Sequence, residues 1–170
     1  MKKIIIALIL VFTTFGYSQN CKYEKNEVDE FTKNKILKVK GSDIFRTSMF
    51  TGLSFQMSKI NDIKFITFAL VSKNAFVLEE GNDKLMFKTK DGRIINIAFN
   101  KTIVSEIQNM PNVGTLFFAH QNVKLTDDLI SQLNDIEIIK ARIYIKDGYI
   151  EEDVKKKSFK NISTDLKCIE

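Results

Sequence analysis

The chain of 170 residues contains no tryptophan, one proline, one histidine and only two cysteines. Its three cysteine and histidine residues are too few for a structural zinc site, which takes four such ligands. No Gly-x-Ser-x-Gly elbow accompanies His120, so we expect this histidine at a strand end or turn and not in a catalytic role. The seven glycines form no phosphate-binding loop, and the sequence predicts neither a metal nor a cofactor.

The scarcity of proline and glycine also bears on domain organisation. The single proline, Pro111, lies in a turn with Asn109 and Asn112, and no linker, repeat or low-complexity tract divides the chain. We therefore expect residues 20–170 to form one domain, which is long enough to bury a core of its own.

The aromatic residues are mostly phenylalanine, which has no polar group and is core material. Sugar-binding surfaces usually present amphipathic rings. After the first nineteen residues, only the tyrosines Tyr23, Tyr144 and Tyr149 could serve that purpose.

The first nineteen residues have the pattern of a secretory signal peptide. Lys2 and Lys3 precede an apolar run over residues 4–12, and the small residues Gly16 and Ser18 follow it. The run is shorter than the roughly 20 apolar residues of a spanning helix. We expect cleavage between Ser18 and Cys21, a periplasmic or secreted protein, and no transmembrane segment in the mature chain.

The two cysteines admit two interpretations. Cys21 could be acylated in a lipoprotein, although that processing requires a small residue before the cysteine and Asn20 stands there. Alternatively Cys21 pairs with Cys168, because an exported chain folds in an oxidising compartment. A loop of this size is worth about 4 to 5 kcal/mol in the chain-entropy model.

The charge of the chain is close to balanced. Removal of the signal peptide takes away Lys2 and Lys3 and no acid, which lowers the net charge from +5 to about +3. Nucleic-acid binding is not expected without a concentrated basic patch. Lysines interrupt the acid-rich segment of Glu24, Glu27, Asp29 and Glu30, which has no EF-hand spacing and suits a solvated arm better than a calcium site.

The periodicity of the chain predicts an α+β fold: a largely antiparallel sheet built as a meander of hairpins, then short helices and a C-terminal amphipathic helix packed on the sheet. Leu53, Phe55 and Met57 alternate with polar residues, as in a half-buried strand. Asn61 and Asp62 suit a turn. A three-residue loop over 90–92 sets Phe87 opposite Ile95 and keeps the apolar residues of two strands on one face.

Helices are predicted in three places. Asn100 or Thr102 would cap a short helix that carries Ile103, Ile107 and Met110, and Thr126 would cap a second. The closing helix is expected to begin near Ile150, with residues 151–153 supplying acidic charge to its first turn. Its buried stripe would consist of Val154, Ser158, Ile162, Leu166 and Ile169.

The last predicted strand alternates most clearly. Its inward residues are expected to be Ile139, Ala141, Ile143 and Ile145. Its outward residues are Lys140, Arg142, Tyr144 and Lys146, the candidate binding stripe. Cationic groups around an aromatic ring can receive an anionic or polysaccharide partner. An ordinary solvated face of an antiparallel strand would look the same.

The segment Cys21-Lys22-Tyr23, followed by Val-Asp-Glu-Phe-Thr at residues 28–32, resembles the start of small secreted proteins of unknown function from Bacteroidetes-type bacteria. Those proteins also show a strand, Asp-Gly turn and strand unit like residues 85–99, and a late strand like residues 140–144. The resemblance implies an envelope or secreted location and a β-rich sheet with C-terminal helices. It carries over no catalytic residue.

These features favour a non-enzymatic periplasmic or surface domain that binds an envelope or extracellular partner, with an anionic partner suiting the stripe. The alternative is an envelope hydrolase or other enzyme with a site assembled from distant segments. A pocket joining His120 to two or more carboxylates would favour the enzyme. Were the stripe not the site, the loops at Asn61, Gly81 and Gly92 would be the next surfaces to consider.

Overall fold

The computed structural model describes residues 21–134 and 136–169, without the side chain of Phe159. The predicted signal peptide, residues 1–19, and its cleavage site lie outside this range. The elements in chain order are β1 (Tyr23–Val28), β2 (Lys35–Val39), β3 (Ser42–Ser48), β4 (Thr51–Ile60), β5 (Ile63–Ser72), β6 (Val77–Leu78), β7 (Gly81–Thr89), β8 (Ile94–Phe99), β9 (Ile103–Val104), β10 (Glu106–Met110), β11 (Gly114–Lys124), α1 (Asp127–Leu133), β12 (Ile138–Ile145), β13 (Gly148–Asp153) and α2 (Lys156–Cys168).

Antiparallel strands make up most of the fold. The predicted antiparallel sheet and C-terminal helix are present. Strands account for 59% of the described residues and helices for 13%, so the fold is mostly β, and the expected α+β class overstated its helical part. A seven-stranded sheet has the order β1-β2-β4-β5-β11-β10, with β3 also paired to β4, and a four-stranded sheet has the order β13-β12-β7-β8. Neighbours distant in sequence, β5 with β11 and β7 with β12, make the topology more complex than a meander.

The core lies between the two sheets, because each presents one apolar face. Phe68 of β5 and Phe87 of β7 meet with ring centroids 6.2 Å apart. The alternation predicted for β4 is confirmed, with Leu53, Phe55 and Met57 all buried. One continuous apolar cluster joins both sheets to α2 through Ile162 and other residues of that helix.

The predicted turns fix the register of two hairpins. Ile60 pairs with Ile63, so Asn61 and Asp62 form the two-residue loop, and Asn61 adopts a positive φ of 52°. Phe87 lies opposite Ile95, as the three-residue loop requires. Gly92 closes that loop at φ 89°, a conformation that glycine adopts without strain.

The helix predicted over residues 103–110 does not form. Ile103 lies in β9, while Ile107 and Met110 lie in β10, which runs antiparallel to β11. The turn at Pro111 and Asn112 brings β10 back alongside β11, and backbone pairing there overrides the helical spacing of three apolar residues. Ile107 is 66% exposed, so its spacing did not mark a buried face.

The closing helix begins later than predicted. Residues 148–153 form β13, which pairs with β12 through the two-residue loop of Lys146 and Asp147. The helix α2 starts at Lys156. The stripe predicted for it is nevertheless buried: Val154, just before the helix, and Ser158, Ile162, Leu166 and Ile169.

The second predicted helix forms as expected. The hydroxyl of Thr126 accepts a hydrogen bond from the Leu129 backbone N–H, and Asp127 and Asp128 occupy the first turn of α1. No helix among the described residues has the length and apolar character needed to cross a membrane.

The predicted disulfide is present. Cys21 is bonded to Cys168, with their α-carbons 5.7 Å apart and a sequence separation of 147 positions. The Tyr23 hydroxyl also donates to the Cys168 carbonyl oxygen over 2.9 Å. The beginning of β1 is therefore fastened to the end of α2.

Candidate functional site

The outward face of the four-stranded sheet carries the candidate binding stripe. Arg142 pairs across the backbone with Met86 on one side and with Glu151 on the other. Because side chains alternate along a strand, the residues opposite the stripe point outward with it. We call the following set the outer-face cluster: Met86, Lys88, Ile94, Lys140, Arg142, Tyr144, Tyr149, Glu151 and Asp153.

The alternation of β12 departs from the prediction at its beginning. Ile138 is 1% exposed and Ile139 is 38% exposed, the reverse of the expected order. The register against β7 shifts between Ile138 and Lys140, which is the signature of a β-bulge. From Lys140 onward the predicted phase holds, with Ala141 and Ile143 buried.

Arg142 is the centre of the outer-face cluster. Its Nε donates to Oε2 of Glu151 over 2.7 Å, and its Nη1 donates to the Tyr144 hydroxyl over 3.2 Å. Its guanidinium carbon lies 4.4 Å from the ring centroid of Tyr149, within cation-π range. The two tyrosine rings are 5.8 Å apart and tilted by 59°. These contacts fix the guanidinium and both rings in one arrangement.

Glu151 holds two cations at once. Lys140 Nζ donates to its Oε1 over 2.9 Å, while Arg142 donates to its other oxygen. Hydrogen bonds from Lys140 and then Arg142 lower the pKa of Glu151 below its usual value of 4.5. The pKa of Lys140 is raised, chiefly by its hydrogen bond to Glu151. The stripe is therefore an ion-paired network and not a bare cationic ridge.

A small cleft opens beside this network. It has a volume of about 140 Å³ and is lined by Met86, Lys88, Ile94, Lys140, Arg142 and Glu151. Met86 and Ile94 supply apolar wall, and Ile94 is 48% exposed. The cleft thus combines apolar surface with fixed charges, as ligand-binding sites commonly do.

The structure brings together three of the four residues of the stripe. Lys140, Arg142 and Tyr144 lie side by side on β12, whereas Lys146 lies in the turn after it. The Lys146 backbone N–H donates to the Val77 carbonyl oxygen over 3.0 Å, which ties the turn to β6. Lys146 is corrected from a strand residue of the stripe to a turn residue.

The sequence analysis missed Tyr149 and Glu151 as members of this surface. The helix predicted to begin near Ile150 put Glu151 on a different element from Arg142, and Tyr149, although noted as a possible sugar-binding ring, was placed just before that helix. The signal that could have found them is Lys146-Asp147-Gly148, since Asp-Gly between apolar runs favours a hairpin. Folding residues 149–153 back along β12 would have placed Glu151 opposite Arg142.

His120 lies on the outer face of the other, seven-stranded sheet. A recess of about 390 Å³ there is lined by His120, Glu24 and Asp43, among others. Asp43, Ser54, Ala69 and His120 form one cross-strand row. Three strand spacings of about 4.8 Å separate the first from the last by roughly 14 Å, too far for a hydrogen bond.

The two carboxylates of this recess have other partners. Glu24 accepts hydrogen bonds from Gln56 and Lys38, and Asp43 binds Arg46 with an Nη2 to Oδ1 distance of 3.0 Å. The recess therefore contains a histidine and two carboxylates without pairing them for acid–base catalysis.

The N-terminal acids do not gather into a cation site. Asp29 caps the turn after β1, where its Oδ1 accepts hydrogen bonds from Thr32 and Phe31. Hydrogen bonds from the backbone and side chain of Thr32 lower its pKa. Over residues 21–134 and 136–169, no group of three or more histidine, cysteine or acidic side chains is arranged to hold a metal ion.

Comparison of the chain with protein-family models, with curated proteins and with solved structures gave no match in any of the three searches.

Proposed function

We propose that this chain is an exported binding domain that contacts an envelope or extracellular partner through the outer-face cluster and catalyses no reaction. The observation that carries the proposal is the fixed position of Arg142 between Glu151 and the rings of Tyr144 and Tyr149. A surface whose side chains are already held in place loses little conformational entropy when a partner binds.

The partner proposed is an acidic polysaccharide. The rings of Tyr144 and Tyr149 offer amphipathic faces for sugar rings, and both residues remain at least partly exposed. The cluster carries three cations, Lys88, Lys140 and Arg142, against two carboxylates. Lys88 forms no ion pair with any described residue, so its charge is available to the partner.

Location outside the cytoplasm is part of the proposal. The Cys21 to Cys168 disulfide is compatible with an oxidising compartment. Intact-mass measurement of the protein from its native host tests the location: the expected mass is that of a chain cleaved between Ser18 and Cys21. A mass that retains residues 1–16, or a diacylglycerol group on Cys21, would contradict a soluble exported form.

The binding surface is tested with the double variant Tyr144→Ala, Tyr149→Ala. The matched control is His120→Ala, Asn122→Ala, which truncates two exposed side chains on the seven-stranded sheet. Calorimetric titration with polygalacturonate should show binding by wild type and control, and at least about tenfold weaker binding by the tyrosine variant. Equal affinities in all three proteins, or no binding by wild type, would reject this surface and partner.

A further inference from the structure

A separate cavity of about 380 Å³ lies where the N-terminal arm meets α2. Its walls come from Cys21 and Lys22 at the start of the arm, from the β2–β3 connection, and from α2. The disulfide and the hydrogen bond from Tyr23 to Cys168 hold the arm against the helix. The cavity is on a different part of the molecule from the outer-face cluster and shares no residue with it.

The floor of this cavity contains an unpaired carboxyl group. Asp165 is only 9% exposed, lines the cavity and accepts no hydrogen bond from any described residue. Its Oδ2 is completely enclosed. A buried polar group without a partner costs free energy, and natural proteins leave few of them. Burial raises the pKa of Asp165 from 3.8 to about 6, so the group is still mostly ionised at neutral pH.

The rim of the cavity has the opposite charge. Lys22, Lys40 and Lys157 line it, all three are exposed, and none forms an ion pair with a described residue. Asn161 also lines the cavity and is held by a hydrogen bond from its Nδ2 to the Ser42 hydroxyl over 3.0 Å. The cavity is therefore lined by one nearly buried carboxyl group and by several exposed cations.

We propose that this cavity binds a small organic anion whose opposite end carries an N–H or O–H donor. The donor would bind the part of the Asp165 carboxyl group that lines the cavity, and the anionic end would lie among the rim lysines. The volume is at the lower end of the range of about 300 to 1,000 Å³ that is typical of small-molecule sites. An amino acid, a small peptide or a sugar acid has the required size and pattern of charge.

Four compounds with the same six-carbon chain test the proposal. 6-Aminohexanoate and 6-hydroxyhexanoate carry both groups, hexanoate lacks the donor, and hexylamine lacks the anion. Each is titrated to about 10 mM, which detects millimolar dissociation constants, while the Asn161 side-chain amide signal is followed by NMR. The two bifunctional compounds should shift this signal at concentrations at least about tenfold lower than the others.

Asp165→Asn supplies the decisive variant, since asparagine has the same shape and removes the charge. The variant should bind 6-aminohexanoate at least about tenfold more weakly than wild type and should bind hexanoate with little change. The control Asp127→Asn, at an exposed position in the first turn of α1, should bind every compound as wild type does. The proposal is overturned if no compound shifts the Asn161 signal, which would mean that the cavity holds water only, or if Asp165→Asn binds 6-aminohexanoate as tightly as wild type.

Discussion

Glu151 and Asp165 are carboxylates only fourteen positions apart in sequence, yet the structure treats them in opposite ways. Glu151 accepts hydrogen bonds from Lys140 and Arg142, whereas Asp165 accepts none from a described residue. The pKa of Glu151 is lowered by its partners and that of Asp165 is raised by burial. In the outer-face cluster, the carboxylate of Glu151 is hydrogen-bonded to neighbouring side chains. Beside the cavity at α2, a carboxyl oxygen of Asp165 has no donor among the described residues.

The two groups should therefore affect stability oppositely as the pH changes. Glu151 stabilises the folded state above its unfolded pKa, and this contribution is lost as the pH falls through its folded pKa. Asp165 has a folded pKa above its unfolded one, so the folded state binds the proton more tightly. The Asp165 carboxyl group therefore lowers the free energy of unfolding as the pH rises from about 3.8 to about 6, because the unfolded chain loses this proton first.

Loss of the disulfide should have the largest effect on stability. The disulfide belongs to the cavity region, because Cys21 and Cys168 line the same cavity as Asp165. The double variant Cys21→Ser, Cys168→Ser is expected to lose about 3 to 5 kcal/mol of unfolding free energy, because a long loop is no longer closed in the unfolded chain. Urea denaturation measures this loss. Wild type treated with a reducing agent should unfold at the same urea concentration as the variant; an unchanged midpoint in both would contradict the account.

Asp165→Asn should stabilise the protein at neutral pH. A pKa shift of about two units sets an upper limit near 3 kcal/mol, so we expect a gain of about 1 to 3 kcal/mol at pH 7.5. Near pH 3, where the carboxyl group is largely neutral in both states, the gain should disappear. Thermal denaturation at the two pH values provides the measurement, and a loss of stability at pH 7.5 would show that Asp165 has a stabilising partner.

Glu151→Gln should change surface charge more than stability. Lys140 and Arg142 lose their shared carboxylate, so the variant should elute from a cation-exchange column at a higher salt concentration than wild type. Glu106→Gln makes the same charge change on the distant strand β10 and should cause a smaller shift. If the two variants elute at the same salt concentration, it makes no difference to anion binding whether the carboxylate is removed from the outer-face cluster or from β10.

His120→Ala should have the smallest effect. His120 is exposed and has no partner within the described residues, so the unfolding free energy should stay within about 0.5 kcal/mol of wild type. Polygalacturonate binding should also be unchanged. A loss of binding without a loss of folding would move the proposed binding surface from the outer-face cluster to the seven-stranded sheet.

The tripeptide Lys-Asp-Gly shows where sequence reasoning succeeded and where it failed. At residues 90–92, strongly alternating residues on both sides predicted a hairpin and its correct register. At residues 146–148 the same tripeptide suited a hairpin, but the acidic residues at 151–153 suited the start of a helix equally well. These residues instead form a strand that pairs along its whole length with β12, a tertiary contact that local propensity does not contain.

The residues of the two proposed sites differ in the same way in how far the sequence marks them. Lys140, Arg142 and Tyr144 could be found because all three follow one strand with a period of two. Asp165 gave no signal, since it lies one position from the buried Leu166 on a helix and reads as a flanking charge. It lines a cavity together with Cys21 of the N-terminal arm, which is 144 positions away in sequence. Long-range packing of this kind is invisible to periodicity.

The most direct test of the contrast is a pH titration of the carboxyl carbons of Glu151 and Asp165, followed by NMR on one sample. The account predicts that Asp165 titrates near 6 and Glu151 below 4.5. Addition of 6-aminohexanoate should lower the midpoint of Asp165, because the bound ammonium favours the ionised carboxylate, and should leave Glu151 unchanged. Titration of Asp165 at or below 3.8 in the absence of the compound would contradict the claim that its carboxyl group is buried without a partner.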